Sequence, residues 1–427
     1  MLLRGRNGSA RPDKWLSQRY QTIRRMTERL AAPLSPEDCL VQSMPEASPV
    51  KWHLAHTSWF FETFVLQPHA PGYKVFHPSF SYLFNSYYNA VGDRVPRPRR
   101  GLMSRPGLDE VHAYRSSVDQ AMGAYLDAKG DGLPQAVADV IELGINHEQQ
   151  HQELILTDIK HALAQNPLYP AYRDDLATSA NGVEVQAMEW LRVLGRLSWI
   201  GHGVPGFAFD NEGPRHQVYL DDFQIGSRLV TCGEFLEFIN QGGYDRPELW
   251  LSDGWNQSQS QGWKAPLYWE QIEDAWWLRT MTGFRPIDEA EPVCHVSFYE
   301  ADAFARWSNA RLPTEAEWEL AVAEQPLEGN FLDTGCLHPR ADGPCDGLRQ
   351  GFGDVWEWTR SPYTPYPGSQ PISGALGEYN AKFMCNQMVL RGGSCATPAS
   401  HIRATYRNFF SPETRWQFAG LRLAKDS

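Results

Sequence analysis

The sequence predicts a multidomain chain of mixed class, an all-α bundle followed by an α+β domain with much irregular loop. Three observations carry that expectation. At 427 residues the chain is too long for one hydrophobic core, so two or three domains are expected. Apolar residues recur at i, i+3 and i+4 through most of the first 165 residues, the period of helices with one buried face. From about Met188 the texture changes to Gly, Pro, Trp and short β-like runs.

Helices are expected over Trp15–Ala31, Pro49–Val65, Leu108–Asp127 and Pro134–Gln165. Ser35-Pro-Glu-Asp38 reads as a cap before Cys39, and Ser48-Pro49 as the N-cap and first residue of the second helix. Four long helices with one extended connection, roughly 67–107, suggest a four-helix bundle, whose metal sites form in its interior from facing helices. Residues 1–165 are taken as this bundle, 166–187 as a connector and 188–427 as the α+β domain. In the latter, Arg196–Ile200, His216–Leu220, Phe223–Ile225 and Met388–Arg391 read as strands, and Thr231–Gln241 and Phe298–Asn309 as helices. No internal repeat is evident.

A formal charge of −12 argues against nucleic acid or an anionic membrane surface as the main partner. No stretch approaches the roughly 18–20 apolar residues needed to span a bilayer. Met1–Lys14 carries basic residues without an apolar core and reads as a short tail rather than a secretory signal. Seven scattered cysteines with no CxxC pair fit a reduced, cytoplasmic chain. Cys336 and Cys345 are close enough in sequence to pair on oxidation.

The segment His147-Glu-Gln-Gln-His151 carries the chemistry. Residues four apart leave a helix on the same face, which is how a helix presents two imidazoles to one divalent metal. In a chain with 13 histidines such pairs also arise by chance. A third ligand is offered by Trp52-His53-Leu-Ala-His56, and spacing alone does not choose between His53 and His56. Glu153 is placed beside the ligands or at the core edge, and His161 off the ligand face.

Asp210-Asn-Glu-Gly-Pro-Arg-His216, Arg311-Leu-Pro-Thr-Glu-Ala-Glu-Trp318, Gly353-Asp-Val-Trp-Glu-Trp358 and Leu390-Arg-Gly-Gly-Ser394 resemble the formylglycine-generating-enzyme family, a C-type-lectin-like α+β fold. Paired copper-binding cysteines are missing from their usual context, Cys395 alone being a poor match, which argues against a sulfatase-activating role. The first half resembles the DinB-like metal-binding bundles. In this order the two halves resemble the ergothioneine sulfoxide synthases, or hercynine oxygenases. The most specific phrases are Lys51-Trp-His-Leu-Ala-His56, Phe84-Asn-Ser-Tyr-Tyr-Asn-Ala-Val-Gly92, the paired histidines and Tyr406-Arg-Asn-Phe-Phe410.

The resemblance implies a non-haem Fe(II), O2-dependent enzyme of ergothioneine biosynthesis. It joins the sulfur of cysteine or γ-glutamylcysteine to C2 of the hercynine imidazole, as the sulfoxide. It implies His56, His147 and His151 as metal ligands, with His53 packed or beside them. It implies Tyr87 or Tyr88 as donor of a proton or hydrogen bond to the oxygen species, a task suited to an uncharged phenol. Arg97 and Arg100 would face the thiol's carboxylate. Gln150, Asn408 and Phe409 would contact hercynine, whose quaternary ammonium favours aromatic faces, with the second domain completing the substrate site. Phe410 stands where the mycobacterial branch has an aspartate that recognises a γ-glutamyl amine, which favours free cysteine. Rival readings are a selenoneine-forming relative, an ovothiol-type synthase and, in a different class, a DinB-like zinc thiol transferase that ignores O2.

Overall fold

The computed structural model describes residues 12–176, 185–343, 346–370, 374–378 and 380–427, in two compact units. Cys345 lies outside the described residues, and with it the pairing with Cys336.

In the first unit, α1 (Pro12–Ala31), α2 (Val50–Phe61), α5 (Leu108–Lys129) and α6 (Gln135–Ala164) are the long helices. α2 continues through a π turn (Glu62–Leu66) into α3 (Gln67–His69), and α4 (Phe80–Phe84) interrupts the long connection. α1 packs on α6, and α2 on both α5 and α6. α2 is buried along its whole length, so it is the central rod rather than a surface helix. A charged core locks the bundle. Glu148 of α6 accepts from Arg24 of α1 (3.0 Å) and Arg115 of α5 (3.1 Å), with all three side chains at most 3% exposed. Asp119 is a second carboxylate for Arg24 (2.7 Å) and Glu28 for Arg115 (3.7 Å); unpaired, such buried charges cost several kcal/mol. Residues 204–209 and 374–378 belong to this unit despite their later place in sequence. Glu378 takes the backbone N–H groups of Asn89 (3.1 Å) and Ala90 (2.9 Å).

Two expected caps differ in detail. Pro49, not Ser48, is the N-cap of α2, and no side chain caps it; proline's fixed φ suits the extended cap residue. Ser35 and Asp38 exchange hydrogen bonds as a cap would, but they close only a 3-10 turn, Asp38–Leu40.

The second unit is α+β. β1 (Trp190–Val193), β4 (Phe223–Gly226) and β12 (Ala424–Asp426) form an antiparallel sheet in the order β1-β4-β12. β2 (Arg196–Ile200) pairs with β3 (His216–Leu220), and β5 (Trp269–Ile272), β6 (Ala275–Thr280) and β7 (Gly283–Pro286) form a meander. The fourth sheet runs β10-β9-β8-β11, from β8 (Trp356–Pro362), β9 (Met388–Arg391), β10 (Asn408–Phe410) and β11 (Ala419–Gly420), with only β11 parallel to its neighbour. Helices α7 (Cys232–Asn240), α9 (Phe298–Trp307) and α10 (Glu315–Val322) each begin with a capping box, Thr231/Glu234, Ser297/Glu300 and Thr314/Glu317; α8 (Ser252–Gln261) has none.

Three of the phrases quoted for this half make structural contacts. Thr314-Glu-Ala-Glu317 is a capping box, Glu319 pairs with buried Arg391 of the Arg-Gly-Gly-Ser phrase, and Glu357 of β8 holds Arg422 at 2.9 Å.

Candidate metal centre

The centre begins with a glycine. Gly144 of α6 lies against Phe60 and Phe61 of α2, so closely that an added Cβ would stand 2.6 Å from a Phe61 ring carbon and 2.7 Å from one of Phe60. The missing side chain lets the two helices approach, and three residues on, His147 faces His56. Its Nε2 lies 3.2 Å from His56 Nε2 and 3.0 Å from His151 Nε2. Among the described residues, His56, His147 and His151 are the group of three or more histidine, cysteine or acidic side chains arranged to hold a metal ion.

Two nitrogen pairs at these distances, with all three ligand atoms within 4.8 Å of one another, suit a shared cation. Two imidazole nitrogens bound at about 2.0–2.1 Å to one divalent ion stand about 2.9 Å apart at a right angle and about 3.4 Å apart at a tetrahedral angle; the observed spacings fall between. The electrostatics agree. Burial lowers the pKa of all three, holding His147 down to about 3, with mutual repulsion adding to it for His56 and His151. A neutral imidazole offers the lone pair a metal needs.

The outer contacts orient the rings. His56 Nδ1 faces the Phe84 carbonyl at 2.6 Å, which requires N–H there and leaves Nε2 bare. His53 does not join the cluster; it faces His151 through Nδ1 at 2.8 Å and Asp158 through Nε2 at 3.0 Å. Trp52 and Trp59 sandwich the His56 ring, with centroids 4.5 and 5.4 Å away.

The aromatic sandwich leads to two further groups. Tyr88, fully buried, packs on the Trp59 ring at 5.7 Å and stacks on half-buried Tyr87 at 4.8 Å. Burial pushes its phenol pKa up. On the other side Arg100 lies 3.4 Å above the Trp52 ring. It is 6% exposed, donates to Ser48 Oγ at 2.8 Å, and among the described residues pairs with no carboxylate. Burial, then Arg97, disfavours its charge. Arg97 is exposed. Lys51 holds this loop by donating to the carbonyls of Met103, Ser104 and Pro106 at 2.8–3.1 Å. Gln150 is half-buried on α6, between His147 and His151 in sequence. Asn408, Phe409 and Phe410 lie half-buried on β10 of the second unit, where Phe409 stacks on Tyr363 at 4.1 Å. His161 faces Ser43 Oγ at 2.7 Å, away from the cluster.

Sequence reasoning did not single out Asp158 or Trp59, and it assigned no role to Lys51, Trp52 or the Phe84 carbonyl, though these lie in its most specific phrases. Asp158 had one usable signal: it follows His151 by seven residues, two helical turns along the same face. No described helix is long and apolar enough to cross a membrane.

Residues 19–155 match the DinB superfamily, and 193–346 with 344–427 match the sulfatase-modifying factor enzyme 1-like domain. The hercynine oxygenase of Mycobacterium tuberculosis is 33% identical over 414 residues, covering 90% of this chain and 92% of that protein. That of Mycolicibacterium smegmatis is 33% identical over 425 residues, with the same coverage. Ergothioneine biosynthesis protein 1 of Schizosaccharomyces pombe is 29% identical over 234 residues, 52% of this chain and 28% of that protein. The bundle with its buried histidine cluster, the second matched domain and the end-to-end similarity together make the chain a member of the hercynine oxygenase family.

Proposed function

We propose that this chain is an iron(II)-dependent sulfoxide synthase of ergothioneine biosynthesis, joining the sulfur of a small thiol to C2 of hercynine. The observation that carries the metal-dependent part is the buried, neutral cluster of His56, His147 and His151. The reaction balances as hercynine C2–H plus thiol S–H plus O2, giving the C–S sulfoxide and water. O2 is the four-electron oxidant, two electrons for the C–S bond and two for the sulfoxide. Iron, when bound, supplies one coordination sphere in which thiolate, imidazole and O2 meet, replacing a termolecular encounter.

The chain's own groups bind and orient. Arg100 is a guanidinium without a carboxylate partner among the described residues, and burial, then Arg97, disfavours its charge. A substrate carboxylate would relieve that buried charge, with Arg97 as the second, exposed arm. Tyr88, or Tyr87 stacked on it, supplies a proton at its phenol oxygen and steers the outcome toward coupling rather than thiol oxidation. Gln150, Asn408 and Phe409 are read as hercynine contacts. Phe410, where an amine-binding carboxylate would otherwise stand, favours cysteine over γ-glutamylcysteine as donor. A cytoplasmic location accords with seven scattered cysteines and no CxxC pair in the sequence.

The test is anaerobic Fe(II) loading of the protein, then mixing with hercynine, cysteine and O2, with mass spectrometry of the products. A species of hercynine plus cysteine, less two hydrogens and plus one oxygen, is expected. γ-Glutamylcysteine and a selenium donor, run in parallel, rank the donors. No coupled product with O2 unconsumed would replace this reading by a zinc thiol transferase.

A further inference from the structure

We propose that Asp158 and His53 are positioning residues that together hold His151 in the tautomer and orientation a ligand requires. The inference rests on the three-histidine reading of the metal centre. Its basis is a line of buried polar groups running from the start of α2 to the metal face of α6. Asp158 Oδ2 accepts the Ser48 N–H at 2.8 Å and faces His53 Nε2 at 3.0 Å. His53 Nδ1 faces His151 Nδ1 at 2.8 Å.

The protons along that line follow from donor and acceptor chemistry. A carboxylate only accepts, so the proton between Asp158 and His53 sits on His53 Nε2. A neutral imidazole carries one proton, so His53 Nδ1 accepts, and the next proton sits on His151 Nδ1. His151 Nε2 is then left with its lone pair, and that atom stands 3.0 Å from His147 Nε2. One carboxylate thus sets the proton on two rings in succession. Because His53 is on α2 and both Asp158 and His151 are on α6, the line also fixes the ring across the helix interface. His56 receives equivalent support from a single backbone carbonyl. Outer partners of this kind typically contribute 10–100-fold to metal affinity. A purely structural role, anchoring the start of α2 through Ser48, would contribute to folding alone.

The experiment uses the full chain under anaerobic conditions, titrated with Co(II) against a competing chelator and followed by the d–d absorption of bound cobalt. His53→Leu and Asp158→Asn are expected to weaken Co(II) binding 10–100-fold. His53→Gln is expected to recover most of it, since its amide N–H can donate to Asp158 while its oxygen accepts from His151. Wild-type affinity in both disruptive variants, with only apo thermal stability lowered, would overturn the proposal. A second measurement needs no variant: nitrogen-15 histidine spectra of the Zn(II)-loaded wild type. They are expected to show His151 protonated at Nδ1 and bound through Nε2, and His53 protonated at Nε2 alone. Protonation of His53 at Nδ1 would sink the proposal while leaving the three-histidine centre standing. Wild-type protein that takes up neither Co(II) nor Zn(II) through His56 and His147 would instead remove that centre, and the proposal with it.

Discussion

Replacing Gly144 by alanine adds one methyl group at the point where α2 and α6 come closest. The added Cβ would lie 2.6 Å from Phe61 Cε1 and 2.7 and 2.9 Å from two carbons of Phe60. Ordinary carbon contacts are about 3.5–4.0 Å, so roughly 1 Å of movement is needed. Both rings are fully buried, and a close-packed interior gives them little room to turn. The helices must therefore part. Overpacking of this kind costs about 1–3 kcal/mol, while alanine in a helix interior gains about 1 kcal/mol over glycine. The net loss of apo stability is thus small, about 0–2 kcal/mol. The metal site is less forgiving, because ligand distances hold to about 0.2 Å. His147 follows Gly144 by three residues and its ring lies 4.9 Å from that of Phe60. A shift several times the tolerance should weaken Co(II) binding by at least the 10–100-fold typical of lost outer support. Parallel cobalt titration and apo thermal melts read the two effects separately. A variant more stable than wild type, with unchanged cobalt affinity, would refute the close-approach argument.

Other perturbations probe the remaining claims. Arg100→Met should raise the thiol concentration for half-saturation about 10–100-fold, the loss of a charge-assisted contact worth about 1.5–3 kcal/mol, and should leave the apo fold as stable or more so. A destabilised variant with unchanged thiol saturation would contradict the role given to that guanidinium. Glu148→Gln leaves Arg115 and Arg24 without their shared buried carboxylate and should cost about 3–5 kcal/mol in denaturant unfolding followed by helical circular dichroism; a change below about 1 kcal/mol would show the cluster to be dispensable. Burial opposes ionisation of Glu291, yet His338 and Arg285 outweigh it and hold its pKa near 2 against 4.5. Its contribution is therefore present above pH 4.5 and lost as pH falls from there toward 2, roughly 3 kcal/mol in all. Glu291→Gln should flatten acid unfolding over that window, and an unchanged pH profile would discount the pair. Tyr87→Phe and Tyr88→Phe should move product from coupled sulfoxide toward oxidised thiol, read by mass spectrometry; a constant ratio in both would remove the phenol from the mechanism.

Much of this protein was legible along the chain because the information is local. The period of the apolar residues specifies the long helices, and the observed α1, α2, α5 and α6 begin and end within a few residues of the expected spans. The four-residue spacing puts His147 and His151 on one face of α6 before anything is known of the fold. Strands such as β2, β3 and β9 follow from β-branched and aromatic runs between turn residues. The meander β5–β7 and strand β8 were not foreseen, since tryptophan- and glycine-rich runs carry no clear alternation, and the partners of β8 lie about 30 to 60 residues away.

What only the tertiary structure decided is which distant groups meet. Spacing left His53 and His56 equivalent candidates three residues apart on one helix. The approach of α2 to α6 at Gly144 separates them, bringing His56 Nε2 to His147 and turning His53 toward Asp158. Charge bookkeeping along the sequence likewise cannot tell that Arg115 has a buried partner and Arg100 has no carboxylate among the described residues. The sequence by itself determines the helices, the paired histidines and the family likeness, because each depends on neighbours within a turn or a short phrase. Which histidine meets His147, and which groups orient the rings, depend on contacts across roughly 30 to 110 positions, set by how closely two helices pack.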